Sequence, residues 1–155
     1  IAADKGVPLA QYNLAYAYNY GQGITQNFSE AFSWFMKAAK QGYPLAEYSV
    51  GLSYYRGEGV TKDPEQALKW FLKSAEHGEA YALNFLPHVL IEENGIQKDV
   101  VEAYRWALVA LQNKSSEEMI QLKSDLESQM SPEQIAEAQQ KAESWSKNRA
   151  NASAP

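Results

Sequence analysis

The chain repeats itself every 36 residues, and this limits its possible folds more than any single motif does. Gly6, Gly42 and Gly78 recur at that spacing, as do Ala31, Ala67 and Ala103, and Trp34, Trp70 and Trp106. Residues 12–42 align with 48–78 without a gap: Gly21 and Gly23 match Gly57 and Gly59, Ile24 matches Val60, and Thr25 matches Thr61. A unit this short cannot bury its apolar face alone, so the copies must stack on one another.

Within each period the apolar residues fall on two helical faces. The first helix is expected over about Pro8–Tyr20 and again over Pro44–Arg56. There Leu14, Ala15 and Tyr18, then Val50, Gly51 and Tyr54, give an i, i+1, i+4 stripe. Proline opens both helices, at a position whose N–H would be unpaired anyway. The Gly-x-Gly that follows stops the helix, because glycine accepts the left-handed cap conformation. The second helix opens with Asn27 and Glu30, Asp63 and Gln66, or Asp99 and Glu102, spaced as in a capping box. These helices are expected to end near Lys40, Glu76 and Gln112. The three tryptophans lie on their inner stripe and are expected to fill the core between helix pairs.

The third copy is degenerate. Pro87 replaces Gly51 inside the expected helix, where proline kinks or breaks it, and Glu93 replaces Gly57. Residues 95–99 restore the register. Ile1–Gly6 matches the tail of a second helix, so the chain begins in mid-repeat and further repeats are expected upstream. After Lys114 the pattern changes. Ser115 with Glu118 and Ser131 with Gln134 read as capping boxes, the latter with Pro132 at the first helical position. Met119, Leu122 and Leu126 give one helical face, and Ile135, Ala138, Ala142 and Trp145 the next. A polar terminal hairpin of this kind closes the exposed core of a repeat array. The expected organisation is therefore repeats over 1–113 (the end of a preceding copy at 1–6, then 7–42, 43–78 and the degenerate 79–113), capping helices over 114–147, and a flexible tail over 148–155.

Composition removes several function classes. With 45% hydrophobic and 12% aromatic residues among 155, the chain can build a core. It has no cysteine, which excludes disulfides, thiolate metal sites and a cysteine nucleophile. A net charge of −5 argues against a generic nucleic-acid footprint. No apolar run approaches the roughly 18–20 residues of a membrane helix. The first residue is Ile1, and no charged n-region with an apolar h-region follows, so any targeting signal lies outside these residues.

Leu14 or Val50, followed by a small residue and by Tyr18 or Tyr54 four positions on, resembles the tetratricopeptide pattern. The stretch YSVGLSYYRGEGVTKD at 48–63, followed by Ala67, Trp70, residues 73–76 and Gly78, resembles the Sel-one-like repeat family more specifically. The first copy carries the likeness from Ala10 to Gly42, the third mainly from Gly95 to Trp106. Residues 130–139, MSPEQIAEAQ, resemble the closing helix of bacterial members. The resemblance implies an all-α fold, a right-handed α/α superhelix (solenoid) of Sel-one-like, tetratricopeptide-like helix pairs with a C-terminal capping helical hairpin. It also implies a non-enzymatic adaptor for other proteins, and it favours a bacterial envelope, periplasmic or secreted setting.

In such superhelices the first helices line the inner groove. The positions equivalent by register are Tyr12, Tyr16, Asn19 and Tyr20, then Tyr48, Leu52, Tyr55 and Arg56, with His88 from the third copy. Tyr and Arg are favoured interface anchors, and Arg56 suits an acidic group on a partner. These nine residues form the expected partner-binding face. Tyr18 and Tyr54 fall on the core stripe instead. His77 sits in the last turn before Gly78, where a cation complements the helix dipole. Two separated histidines without a ligand-spaced carboxylate do not build a metal site. Adjacent carboxylates such as Glu117 and Glu118 face different directions on a helix. Phosphate-loop and nucleophile-elbow motifs are both missing from the sequence. No catalytic residue, metal ligand or cofactor is therefore assigned.

The leading expectation is an adaptor that takes a peptide or helix from a protein partner, with no nucleic-acid binding and no direct membrane insertion. Two other readings fit the same residues. Tyrosine faces also stack on sugars, which would make this a glycan- or cell-wall-associated module. The mid-repeat start would make it the capping end of a longer scaffold.

Overall fold

A computed structural model describes residues 2–92 and 95–152. Ile1 and Glu93, both used in the repeat alignment, lie outside the described residues, as does the end of the expected tail. Among the described residues the chain is all helical: α1 (Pro8–Tyr20), α2 (Phe28–Ala39), α3 (Pro44–Arg56), α4 (Pro64–Glu76), α5 (Ala80–Val89), α6 (Val100–Asn113), α7 (Glu117–Glu127) and α8 (Pro132–Ala152). It divides into two compact units, residues 1–82 and 83–155.

In the first unit α1 pairs with α2, α2 with α3, and α3 with α4. Gly21 and Gly57 end α1 and α3 in the left-handed conformation, with φ of 66° and 76°. The second helices are then stitched to the first. Asn27 Oδ1 accepts the Glu30 N–H and Asp63 Oδ1 the Gln66 N–H, at 3.1 and 3.0 Å. The return arm of a capping box is not used in these loops. The N–H of Asn27 donates to Tyr18 O at 2.9 Å and that of Asp63 to Tyr54 O at 3.0 Å. The cap residue thus joins the two helices of its pair, and the Glu30 and Gln66 side chains are not needed there.

Ala15, Ala31, Phe35, Ala38, Ala39, Ala46 and Val50 form the core of this unit, flanked by half-buried Tyr12, Tyr18, Trp34, Tyr54 and Trp70. Small residues on one helix admit rings from the next. A Cβ on Gly51 would stand 2.6 Å from two carbons of the Phe71 ring. Trp34 and Trp70 differ from expectation. Both are half-buried, and Lys37 and Lys73 lie over their rings at 3.5 and 4.9 Å. A lysine at i+3 can cover the outer face of an indole with its stem and its charge.

In the second unit α6 packs against α7 and α8. Asp99 caps α6, and its N–H donates to Leu90 O at 2.9 Å, the same stitch as in the earlier copies. Pro87 is accommodated inside α5 without breaking it. The N–H that proline lacks would have reached Leu83 O. The helix instead ends early, at Val89, and His88 O accepts the N–H groups of Ile91 and Glu92, each at 3.1 Å. The register explains the tolerance. Where Gly51 faces Phe71 in the second copy, the third has buried Pro87 and Ala107, so bulk has moved from the second helix to the first.

Trp106, unlike its two counterparts, is fully buried and meets Trp145 edge-on at 5.9 Å. Tyr104 is also fully buried, and its hydroxyl donates to Glu127, which pairs with Lys123 at 2.6 Å. The cap of α7 is Ser116 rather than Ser115, its Oγ accepting the Met119 N–H at 3.2 Å. Starting the helix at Glu117 keeps both Glu117 and Glu118 in the favourable first turn. At α8 a full capping box forms: Gln134 N–H donates to Ser131 Oγ at 3.2 Å, and Ser131 N–H donates to Gln134 Oε1 at 2.9 Å. The helix continues past Lys147 to Ala152, through residues expected in a tail, with Arg149 over the Trp145 ring at 5.4 Å.

Candidate binding cavity

Tyr12, Tyr16 and Tyr20 are spaced i, i+4, i+8 and share one face of α1. Their rings follow one another, with centroids 6.3 Å apart from Tyr12 to Tyr16 and 4.4 Å from Tyr16 to Tyr20. Tyr12 is fixed from behind by Phe35 at 5.6 Å and Tyr43 at 5.4 Å. One repeat later, Tyr48, Leu52 and Arg56 hold the equivalent positions on α3. Tyr48 packs on Phe71 at 5.7 Å and stacks with Tyr81 at 5.8 Å and 21°.

These residues line a cavity of about 310 Å³ within the first unit. Seven of the nine residues expected on the binding face meet there: Tyr12, Tyr16, Asn19, Tyr20, Tyr48, Leu52 and Arg56. Tyr55 does not; its ring lies edge-on to Phe71 at 6.2 Å. His88 belongs to the second unit, where its Nε2 lies 3.6 Å from Glu118 Oε1. The cavity also recruits Phe35, Leu45, Ser49, Ser53, Glu58 and Tyr81, none of them in the expected set. The register held a signal for two of these. Leu45 and Tyr81 are repeat-equivalent and sit one turn before Tyr48 and its counterpart.

The cavity walls are polar at their tips and apolar at their faces. Burial pushes the Tyr12 phenol above its ordinary pKa, opposed by its hydrogen bond with Ser49. Burial does the same to Tyr48, opposed by the charge of Arg56. Both phenols therefore stay protonated at neutral pH. Arg56, half exposed, is paired with Glu58 across 3.8 Å, a distance at which an exposed pair contributes little. The guanidinium is thus available to an incoming carboxylate. Tyr16 and Tyr20 are 38% and 57% exposed, enough to cover a ligand without holding the core together.

Behind the cavity wall, Glu47 has no exposed surface, and sequence reasoning did not single it out. His77 Nδ1 meets Glu47 Oε2 at 2.7 Å, and Lys73 Nζ reaches Oε1 at 3.2 Å as an ion pair outside hydrogen-bond angles. His77 closes α4 as its C-cap and is also hydrogen-bonded with this carboxylate. The first copy puts an amide pair at the same register, Gln41 Nε2 donating to Gln11 Oε1 at 2.8 Å. Among the described residues no group of three or more His, Cys, Asp or Glu could hold a metal ion. Among the described residues no helix is long and apolar enough to cross a membrane.

Helix pairs that recur at 36 residues, each second helix stitched by its cap to the first, define an α-helical repeat protein of the solenoid class. The chain belongs to the Sel1 repeat family, whose model matches residues 8–43, 44–79 and 90–114. The third match begins at residue 90, past Pro87. The fold is similar to that of a Sel1 repeat protein from Oxalobacter formigenes, with a TM-score of 0.67 and 35% identity over 72% of this chain and 46% of that one. It is also similar to c5321, a protective antigen of uropathogenic Escherichia coli strains displaying an SLR fold, with a TM-score of 0.69 and 24% identity over 92% of this chain. The chain spans 46% and 38% of the lengths of these two proteins. No curated protein matches it. Sel1 repeat proteins generally mediate protein–protein interaction, and the family is typically a non-catalytic scaffold.

Proposed function

We propose that this chain is a non-enzymatic adaptor, and that the cavity lined by α1 and α3 receives a peptide segment of a protein partner. One observation carries the reading. Five tyrosines from three successive repeats, with Asn19 and Arg56, line a single solvent-open cavity. Tyrosine and arginine dominate binding energy at interfaces because they bring large, stiff contact areas with a polar tip. Arg56 takes an acidic group of the partner, and the tyrosine faces take its apolar side chains. Tyr55 and His88 are left out of this site, the first held against Phe71 and the second beside Glu118.

The reading is tested by capture from source-cell extract with wild-type protein beside a Tyr16→Ala/Tyr20→Ala variant. Circular dichroism confirms that both are folded. A partner held by the wild type and lost from the variant is the expected result. Equal retention of every captured protein by both would remove the cavity from the function.

A further inference from the structure

In the second copy the outer stripe of α3 is covered by the second helix of the copy before it. Ala46 and Val50 have no exposed surface, and they share one core with Phe35, Ala38 and Ala39 of α2. Tyr54 meets Phe32 edge-on at 5.3 Å. At Gly59 the two copies touch through their backbones, since a Cβ there would overlap Phe28 O.

The same stripe stands open on α1. Ala10 and Leu14, equivalent to Ala46 and Val50, are only half-buried. Ile24, equivalent to Val60, is 37% exposed. Gly23 shares the backbone of Gly59, with φ of 76° against 74°, yet among the described residues a Cβ on it would meet nothing within 4 Å beyond its chain neighbours. Six of the eight large hydrophobic side chains left exposed among the described residues lie between Val7 and Phe28. A repeat array that ends in water needs a polar outer face, and this edge is apolar instead.

Residues 2–6 show what fits it. The Gly6 N–H donates to Ala3 O at 3.0 Å, as the Gly42 N–H does to Ala39 O at 2.9 Å. The Val7 N–H donates to Ala2 O at 3.4 Å, as the Tyr43 N–H does to Ala38 O at 3.2 Å. Gly6 and Gly42 have φ of 81° and 78°, and Ala3 is buried like Ala39. Residues 2–6 thus take the turn that closes α2. A helix ending in that turn meets α1 along the path that α2 takes across α3.

We infer that the open edge of α1 is a stacking face for the second helix of a further Sel1-type repeat, joined in line through residues 2–6. That helix covers Ala10 and Leu14 as α2 covers Ala46 and Val50, and its first turn sits on Gly23 as Phe28 sits on Gly59. The inference stands apart from the adaptor reading, because none of Ala10, Leu14 and Gly23 lines the cavity.

Gly6 and Gly42 are in register, so a second copy of residues 7–42 placed between Gly6 and Val7 lengthens the array by one repeat. The lengthened chain should unfold in one transition, at a higher temperature than the parent chain, because each neighbour interface adds stability. Ala10→Arg in the downstream of the two identical repeats should erase that rise. In the parent chain the same substitution should shift melting by no more than about 1–2 °C, as at other surface positions. A separate, lower transition for the added repeat, with the rest melting as before, would overturn the inference. So would sedimentation of the parent chain as a dimer that Ala10→Arg returns to monomer, since the edge would then join two copies.

Discussion

Glu47, with no exposed surface, holds the imidazole of His77 at 2.7 Å across the α3–α4 pair. A buried carboxylate is costly unless it is paired, and removing a partner leaves the cost uncompensated. His77→Ala should therefore destabilise the fold by about 1–2 kcal/mol, less than for a fully buried pair because Lys73 still faces Glu47. The double variant Glu47→Gln/His77→Gln rebuilds the Gln11–Gln41 pair of the first copy and should recover most of that loss. Urea unfolding of the two variants beside the wild type measures both quantities. Equal stability of wild type and His77→Ala would show that the pair contributes nothing.

The contact between Gly51 and Phe71 sets two effects of opposite sign against each other. Alanine in a helix interior is better than glycine by roughly 0.5–1 kcal/mol. The added Cβ would stand 2.6 Å from two ring carbons, and overpacking of this kind costs about 1–3 kcal/mol. The clash wins, so Gly51→Ala should lower the melting temperature. Gly51→Ala/Phe71→Leu should melt higher than Gly51→Ala alone. A rise on Gly51→Ala alone would mean that α3 and α4 are not as close as described.

In the second unit the Glu127 carboxyl is held below its ordinary pKa, first by its hydrogen bond with Lys123 and then by that with Tyr104. A carboxyl lowered on folding stabilises the native state above its unfolded value, near 4.5, and the gain is lost as pH falls through the folded value. Glu127→Gln cannot titrate. The stability gap between wild type and Glu127→Gln should be full at neutral pH and shrink steadily below about pH 4.5. Chemical unfolding at several pH values measures the gap. A gap that grew on acidification would contradict this sign.

Much of the fold was legible because its signals are local. Prolines 8, 44 and 64, the cap residues Asn27, Asp63 and Asp99, and the glycines after α1 and α3 act within one helical turn, and the helices start and stop where these residues stand. Register also identified the face on which Tyr12, Tyr16, Tyr20 and Tyr48 meet. It could not say which ring on that face folds back, because Tyr55 is decided by Phe71 on another helix. Glu47 was illegible for the same reason: its burial depends on His77, thirty residues away. Trp34 and Trp106 occupy one register position, yet Trp145 packs on the latter and Lys37 covers the former. The neighbours, not the stripe, set their exposure.

The central claim is that a partner is held by the tyrosine cavity of the first unit. Site-specific photo-crosslinking tests it most directly. A photoreactive phenylalanine analogue is placed at Tyr20, 57% exposed, or at Ile120 in the second unit, 53% exposed, and irradiated in source-cell extract. The two positions are matched in exposure and differ only in surroundings. The adaptor account predicts a discrete partner adduct from position 20 and none from position 120. The same adduct from position 120 alone, or from both positions equally, would contradict it.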